Sequence, residues 1–327
     1  MPAASALPVV PAESPAPPPS PEIAARVAEI YHADLARSSE AQAYLVRRGL
    51  GDAELVRRFK IGFASGRLLS LVPQTGGAVE DLVRLGVVTR RGDSLRELMA
   101  NCVVFPIPAC ADPDSPPASF YARRTTDDEP RHLYSAGGHR GVWNAAATQA
   151  SEIVLLTEAI VDALSAWVLG FPHTLALYGT NGLTHDHVAL FRAAAEAGRL
   201  VEIVLAVDND AGGDRAAERL PEVLAERLGA SAPRISRLAI PKLPGVKDVN
   251  EFLVKSPGTL DEKRRAFAEF FAARQVLRER TEVAAAADPG PTSHSADVGA
   301  AASAPPAAGG AAVEARSRGI QIAFPAG

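Results

Sequence analysis

The pattern of apolar positions divides the chain into a globular centre and two ends that lack large apolar side chains. The front of the centre mixes helical and strand patterns: helices are predicted over residues 21–36, 40–48 and 52–59, and the strands of a β-hairpin over residues 101–107 and 118–123. Several prolines and aspartates between the two strands predict the hairpin loop. This half of the pattern indicates a small mixed α+β region.

From residue 151 the pattern becomes a regular alternation of strands and helices. Strands are predicted over residues 152–157, 174–178, 201–207 and 235–240, and helices over residues 159–169, 184–197, 211–228 and 261–282. Short apolar strands that alternate with amphipathic helices are typical of a parallel sheet covered by helices. The sequence therefore predicts an α/β domain here.

These changes of pattern give the predicted organisation of the chain. The predicted segments are a disordered Pro/Ala-rich leader (1–20), a mixed α+β subdomain (21–150), a parallel α/β domain (151–255), a C-terminal helix (256–283) and a disordered tail (284–327). The two ends are rich in Ala, Pro, Gly and Ser and have too few large apolar residues to form a core.

Composition narrows the classes of protein. The chain has 327 residues, is 47% hydrophobic and carries a formal net charge of -4, so no overall positive charge attracts nucleic acid. No run of about eighteen apolar residues predicts a membrane span. The two cysteines, Cys102 and Cys110, do not predict a disulfide framework, which favours a reducing, cytoplasmic compartment.

Acidic residues follow two of the predicted parallel strands. Glu158 comes directly after the strand that ends at residue 157, and Asp208 and Asp210 follow the strand that ends at residue 207. Ligands of open α/β sheets bind at the carboxyl ends of the strands. We therefore expect these three carboxylates, with Asp162 one helical turn after Glu158, to face one crevice.

Converging carboxylates repel one another unless a cation lies between them. Oxygen ligands without nearby His or Cys favour Mg²⁺ or Mn²⁺, ions that assist displacements at phosphorus. The alternative is that the acids only cap the helices that follow them. From spacing alone both interpretations remain open.

At these residues the sequence resembles the Toprim domain of DnaG-type primases, topoisomerases and some nucleases. Its Glu-Gly-x-x-Asp motif corresponds to residues 158–162, with Ala159 at the Gly position. Its Asp-x-Asp-Ala-Gly motif corresponds to residues 208–212. A Gly-Thr, Leu-Thr and His segment corresponds to residues 179–187, and a Lys-Asp-x-Asn-Glu segment to residues 247–251.

Weaker matches extend the resemblance upstream, so that it covers residues 40 to 254. Residues 44–50 and 59–63 resemble the start of the primase polymerase core, residues 105–107 and Arg123 resemble its basic hairpin, and residues 131–135 lie where primases have a Lys-Tyr-x-Asn-Ser segment. The resemblance implies a Toprim-type parallel sheet flanked by helices, preceded by a smaller mixed α+β primase-like subdomain.

The resemblance also implies roles for individual residues. Glu158, Asp208 and Asp210 are the expected catalytic and metal-binding carboxylates, and Asp248, with Asn250 less certainly, is expected to complete the metal site. The residues expected to contact nucleic acid or nucleotide are Arg123, Arg124, Arg131 and Lys247. Guanidinium groups suit this role because they bind phosphate through paired hydrogen bonds.

The implied activity is metal-dependent synthesis of RNA primers from ribonucleoside triphosphates on single-stranded DNA. Primases of this family usually begin with a zinc-binding domain, and the two cysteines here are too few for one. A separate zinc-finger protein or a replicative helicase is therefore an expected partner. The alternatives are a Toprim nuclease and a non-catalytic nucleic-acid-binding accessory of a mobile element. The upstream segments favour the polymerase.

Overall fold

The computed structural model describes residues 19–280, except 73–76, 127, 180–181 and 242. The tail predicted over 284–327, and all but the last two residues of the leader predicted over 1–20, lie outside the described residues. None of the described helices is both long enough and apolar enough to cross a membrane.

The order of elements matches most of the predicted pattern. The helices are α1 (Pro21–Leu35), α2 (Ser39–Arg47), α3 (Ala53–Arg58), α4 (Gly77–Leu85), α5 (Ala147–Ala150), α6 (Ile160–Val168), α7 (His185–Glu196), α8 (Ala211–Leu228), α9 (Val249–Lys255) and α10 (Leu260–Ala272). The strands are β1 (Gly62–Ala64), β2 (Val88–Arg91), β3 (Ser94–Glu97), β4 (Cys102–Pro108), β5 (Pro117–Arg124), β6 (His132–Tyr134), β7 (Ile153–Thr157), β8 (Thr174–Ala176), β9 (Glu202–Ala206), β10 (Arg234–Arg237) and β11 (Gln275–Arg278).

The first three helices begin within one residue of the predicted positions, and each has a capping side chain. Ser20, Ser38 and Asp52 each accept a hydrogen bond from a backbone N–H of the following turn, which satisfies a donor that the helix itself leaves free. Helix α2 ends before Gly49, which adopts φ +69°, a conformation that residues with a side chain rarely adopt.

Two larger sheets organise the described chain. The first is antiparallel, with strand order β1-β4-β5-β6, and contains the predicted hairpin as its central pair. The second has the order β11-β10-β9-β7-β8, in which β10, β9, β7 and β8 run parallel. Strands β2 and β3 form a separate two-stranded sheet. The predicted parallel α/β architecture is confirmed.

Both faces of the parallel sheet are buried, and one of them packs against strands of the antiparallel sheet. One apolar cluster contains Leu155 of β7 and Val204 of β9 together with Phe105 of β4 and Tyr121 of β5. The opposite face of the sheet packs in a second cluster with α7 and α8. The first cluster therefore joins the parallel sheet to the antiparallel sheet.

The prediction of one helix from 261 to 282, within the segment 256–283, is wrong in its second half. Helix α10 ends at Ala272, and β11 pairs antiparallel with β10 at the edge of the sheet. Arg274, between them, donates hydrogen bonds of 2.7 Å to both carboxylate oxygens of the buried Glu202 on β9. This long-range pairing overrides a local pattern rich in charged helix-forming residues.

Candidate active site

Neighbouring parallel strands bring Glu158 and Asp208 together. Strands β7 and β9 pair in register, with Thr157 opposite Ala206, so the residues that follow them leave the sheet side by side. The backbone N–H of Asp208 donates a hydrogen bond of 3.1 Å to Glu158 Oε1. The sequence prediction that acids after these two strands meet at one edge is therefore correct for this pair.

Asp210 and Asp248 lie at the same edge, and each is also a helix cap. Asp210 Oδ1 accepts hydrogen bonds of 2.8 and 3.0 Å from the N–H groups of Gly212 and Gly213 at the start of α8. Asp248 Oδ1 accepts one of 2.6 Å from Glu251 at the start of α9. Capping, the alternative considered for the acids after the strands, is thus real for Asp210, and Asp248 caps α9 in the same way. In each carboxylate the second oxygen takes no part in these bonds.

We call Glu158, Asp208, Asp210 and Asp248 the acidic edge. Burial, followed by the charges of Glu158 and Asp248, raises the pKa of Asp208 to about 7. The pKa of Asp248 is also raised, chiefly by burial. Burial and, after it, repulsion between the carboxylates therefore both favour the protonated form of Asp208 at this edge.

Lys247 places a positive charge beside these carboxylates. Its Nζ lies 3.6 Å from Asp208 Oδ2. Burial opposes the charge of Lys247, but the carboxylates of Asp208 and Asp248 outweigh it, so its pKa is raised. Lys247, expected from the sequence to contact nucleic acid or nucleotide, has its ammonium group against the acidic edge.

Asp162 and Asn250 form the buried floor beneath the edge. Asp162 accepts a hydrogen bond of 3.0 Å from the N–H of Asn250, and burial, with Asp248 and Asp208 nearby, raises its pKa. The Asn250 amide donates to the backbone oxygen of Arg48 at 2.8 Å and to Ser165 Oγ at 2.9 Å. Asn250, considered a weaker metal ligand, therefore ties α2 to α6 and α9.

Two small residues lie next to the carboxylates, and the backbone requires glycine at only one of the two positions. A Cβ on Gly213 would overlap with the backbone oxygen of Asp208, so glycine at this position lets the start of α8 approach the end of β9. Ala159 has φ -136° and ψ 156°, an extended conformation open to any residue. Alanine in place of the usual glycine therefore causes no backbone strain.

The donor set of the acidic edge fits a hard divalent cation in its chemistry. Its side chains offer only carboxylate oxygens, and the pKa of Asp208 is raised first by burial and then by neighbouring carboxylates, whose repulsion a cation would relieve. Across the part of the chain that the structure describes, no group of three His, Cys, Asp or Glu is already arranged to hold an ion. Binding would thus require these side chains to turn from their present partners.

A basic cleft lies beside the acidic edge. It has a volume of about 410 Å³ and is formed by α2, the end of β5 and its following loop, and α9. Its lining residues are Tyr44, Arg47, Arg48, Arg123, Arg124, Thr125, Thr126, Arg131, Asn250, Glu251, Val254 and Lys255. We call this surface the basic cleft; α9 connects it to the acidic edge, because Asn250 and Glu251 directly follow Asp248 and Val249.

The three predicted arginines all line the basic cleft, but they have different surroundings. Arg123 Nη1 lies 2.7 Å from His132 Nε2 and 3.4 Å from Tyr121 Oη. Arg124 donates a hydrogen bond of 3.0 Å to the backbone oxygen of Pro130. Arg131 forms an ion pair of 3.2 Å with Glu129. The three arginines therefore share one surface, although each has a different partner.

Sequence reasoning missed part of the cleft. Arg47 at the end of α2, Arg48 directly after it and Lys255 at the end of α9 are not among the residues that were expected above to contact nucleic acid or nucleotide. Arg48 Nη1 donates a hydrogen bond of 3.0 Å to Asn250 Oδ1, across two hundred positions of sequence. No local pattern marks such a contact, because helical spacing shows which residues share a face but not what that face meets.

The arrangement defines a class of protein, an α/β domain with acids at its strand ends and a basic surface beside them. Residues 155–253 match a family model described as Toprim-like. The DNA primase of Haemophilus influenzae is 27% identical over 215 residues, which cover 62% of this chain and 34% of that protein. The chain spans about a third of the length of the curated primases it matches.

Solved structures identify the more particular fold. A DnaG catalytic core superposes with a TM-score of 0.63 at 22% identity, covering 79% of this chain and 80% of that one. A DnaG primase catalytic domain solved with single-stranded DNA superposes with a TM-score of 0.62 at 21% identity, covering 79% of each chain. The chain therefore has the fold of a DnaG-type primase catalytic core with a Toprim-like domain, as the sequence resemblance implied.

Proposed function

We propose that this chain is a primase-like nucleotidyltransferase that joins ribonucleotides on a single-stranded DNA template. The observation that carries the proposal is the adjacency of the acidic edge and the basic cleft, which α9 connects. The acidic edge brings several carboxylates together around Asp208, and the basic cleft brings together guanidinium groups that bind phosphates well. The relatives named DNA primase and the catalytic domain solved with single-stranded DNA support the same substrates.

In the proposed reaction a ribose 3′-hydroxyl attacks the α-phosphorus of a ribonucleoside triphosphate. A new P–O bond forms, the bond to pyrophosphate breaks, and the hydroxyl proton leaves to a base. Asp208, Asp210, Glu158 and Asp248 would hold Mg²⁺ or Mn²⁺, which when bound supplies positive charge to the phosphate oxygens. Glu158 is also the proposed acid–base carboxylate of this group.

The cationic residues have the complementary role in this proposal. Arg123, Arg124 and Arg131 would bind the template backbone or the triphosphate, and Lys247 would exchange its contact with Asp208 for a phosphate when a metal ion takes its place. The basic cleft then combines side chains of the mixed α+β segment 21–150 with those of α9, and the segment 151–255 provides the carboxylates. A separate zinc-finger protein or a replicative helicase is proposed as a partner.

A primer-synthesis assay tests the proposal. The protein is incubated with labelled ribonucleotides, a single-stranded template and Mg²⁺ or Mn²⁺, alone and with an added zinc-binding module from a related primase. We expect metal-dependent dinucleotides and short RNA from the wild type and from Asp214→Asn, a control on α8 whose carboxylate pairs with Arg237 at 2.6 Å. Absence of any dinucleotide under all these conditions refutes polymerase activity.

A parallel incubation separates the proposal from the alternatives. Plasmid or RNA is added with Mg²⁺ and without nucleotides. Cleavage under these conditions supports a Toprim nuclease instead. If calorimetry detects no binding of Mn²⁺ to the protein, a non-catalytic accessory explains the fold better than either enzyme.

A further inference from the structure

A row of aromatic and imidazole rings extends from the basic cleft and has no part in the chemistry described above. The row begins at His132, which contacts Arg123 of the cleft. His132 Nδ1 lies 2.8 Å from Tyr121 Oη. The Tyr121 ring then contacts the ring of Tyr134 on β6, with 4.9 Å between centroids. Side chains from β5 and β6 that point to the same face of the antiparallel sheet form this part of the row.

The row ends on His139, which follows β6 in a glycine-rich loop. The imidazole lies flat on the ring of Tyr178, with 4.7 Å between centroids and an angle of 14° between planes. Tyr134 meets the same imidazole edge-on, at 4.4 Å and 82°. Tyr178 is buried whereas His139 is exposed, so the tyrosine supports one face of a ring whose remaining surface is open to solvent.

Tyr178 is held firmly beside the acidic edge. It follows β8, its hydroxyl donates a hydrogen bond of 2.7 Å to the backbone oxygen of Gly141, and the next residue, Gly179, donates one of 3.0 Å to the backbone oxygen of Glu158. Gly182 packs so closely on the Tyr178 backbone that a Cβ there would overlap with it. Tyr178, on which the imidazole rests, is therefore fixed relative to the strand that presents Glu158.

We infer that the open surface of His139 stacks against a nucleobase while the phosphates of the same ligand lie at the basic cleft or the acidic edge. This inference rests on the proposed function for the ligand class. Sites for single-stranded nucleic acid combine a cationic groove with aromatic rings, and a ring accepts any base because every base has a π face. Here the cationic groove and the supported ring are joined by one continuous row.

The chemistry of the imidazole suits this role. Burial lowers the pKa of His139, which keeps the ring neutral near pH 7. No hydrogen bond from its ring nitrogens to the described part of the protein competes for its orientation; its contacts are the two tyrosine rings. A neutral ring that rests on a buried tyrosine is preorganised, so stacking costs little side-chain entropy.

Fluorescence of 2-aminopurine, which is quenched when the base stacks, tests the inference without catalysis. Two probes are titrated separately in Mg²⁺: 2-aminopurine riboside triphosphate, and a single-stranded DNA oligonucleotide with one 2-aminopurine. The variants are His139→Ala, which removes the ring, His139→Phe, which keeps a flat ring, and the control His185→Ala, whose side chain is 92% exposed on α7. Thermal melting verifies that each variant is folded.

We expect quenching with the wild type, about tenfold weaker binding for His139→Ala, and near wild-type binding for His139→Phe and His185→Ala. A loss confined to the triphosphate identifies the base of the ribonucleotide as the ligand, and a loss confined to the oligonucleotide identifies a template base. The inference is overturned if neither probe is quenched by the wild type, if His139→Ala binds both probes within twofold of wild type, or if His139→Phe is as weak as His139→Ala.

These outcomes are separable from the fate of the proposed function. Quenching that depends on His139, together with absent primer synthesis, would refute the polymerase activity and support the stacking site. Primer synthesis without such quenching would support the polymerase activity and refute the stacking site.

Discussion

The acidic edge and the basic cleft are neighbouring surfaces that concentrate opposite charges in different ways. At the acidic edge, carboxylates at the ends of adjacent parallel strands meet in a partly buried place, and the pKa of Asp208 rises to about 7. In the basic cleft, cationic side chains come from α2, β5 and α9, and several of them contact tyrosine rings or backbone oxygens.

The two surfaces differ in whether their side chains stay charged when like charges lie close together. Arginines remain charged and spread their charge over a planar group, so a cleft can hold several of them next to aromatic rings. Carboxylates in a shared, partly buried site become easier to protonate instead. We conclude that the acidic edge depends more strongly on a counter-ion than the basic cleft does, and the following predictions test this comparison from the largest expected effect to the smallest.

The largest effect is expected from Asp208→Asn. Removing this charge should lower the rate of nucleotidyl transfer at least about a hundredfold, because the group that holds positive charge near the reacting phosphate is lost. The melting temperature of the metal-free protein should stay constant or rise, because repulsion from Glu158 and Asp248 is relieved. The measurements are primer synthesis and calorimetry, with Asp214→Asn as control; a large fall in melting temperature would mark Asp208 as structural.

The pH dependence of stability should show the same repulsion. The pKa of Asp208 is higher in the folded protein than in the unfolded chain, so the folded state holds its proton longer and stability falls as pH rises from about 4 to about 7. The loss should be at most about 4 kcal/mol. Urea unfolding across this range measures it.

In the same experiment the fall should be smaller in Asp208→Asn, where the raised pKa of other buried acids such as Asp248 remains, and millimolar Mg²⁺ or Mn²⁺ should reduce it in the wild type. If the two proteins instead show the same pH profile, the comparison between the acidic edge and the basic cleft has no energetic basis at this residue.

Gly213→Ala tests the backbone that shapes the acidic edge. The new Cβ would overlap with the backbone oxygen of Asp208, and moving β9 and α8 apart should cost about 1–3 kcal/mol of stability and impair activity. Gly212→Ala is the matched control, because its Cβ would lie 3.1 Å from Asp210 Oδ1, the end of a side chain. Equal stability of the two variants, measured by urea unfolding, would contradict this account.

The smallest effect is expected in the basic cleft. Arg124→Gln should weaken binding of single-stranded DNA several-fold and lower the slope of log affinity against log salt by about one, because one phosphate contact is lost among several. The control is Arg90→Gln, which removes a cation on β2 that pairs with Glu80 of α4. Fluorescence anisotropy at several salt concentrations measures both, and an unchanged slope for Arg124→Gln would exclude that contact.

Local patterns were a good guide wherever one short segment determines the structure. Local patterns predicted α1, α2 and α3 to within one residue at each end, and the alternation after residue 151 predicted the parallel sheet. The pattern was wrong after Ala272, where charged residues of helical character form β11 because β10 offers an open edge and Glu202 binds Arg274. Strands β1 to β3 and helix α4 were not predicted at all.

The candidate site shows the same division. Glu158 and Asp208 could be located from the sequence, since the ends of parallel strands meet by the geometry of the sheet. The second role of Asp210 and Asp248 as caps, the structural use of Asn250 and the pairing of Lys247 with Asp208 needed coordinates. Each depends on which hydrogen-bond partner a side chain finds in the folded protein.

By itself the sequence determined the strand–helix alternation, the acids at the ends of two strands and the resemblance to a primase core, because these follow from periodicity and residue order. Only the tertiary structure decided that arginines from α2 and β5 and a lysine from α9 share one cleft, and that His139 rests on Tyr178 beside Glu158. The reason is that contacts between distant segments depend on how helices and sheets pack against one another, and a pattern read within one segment does not contain that information.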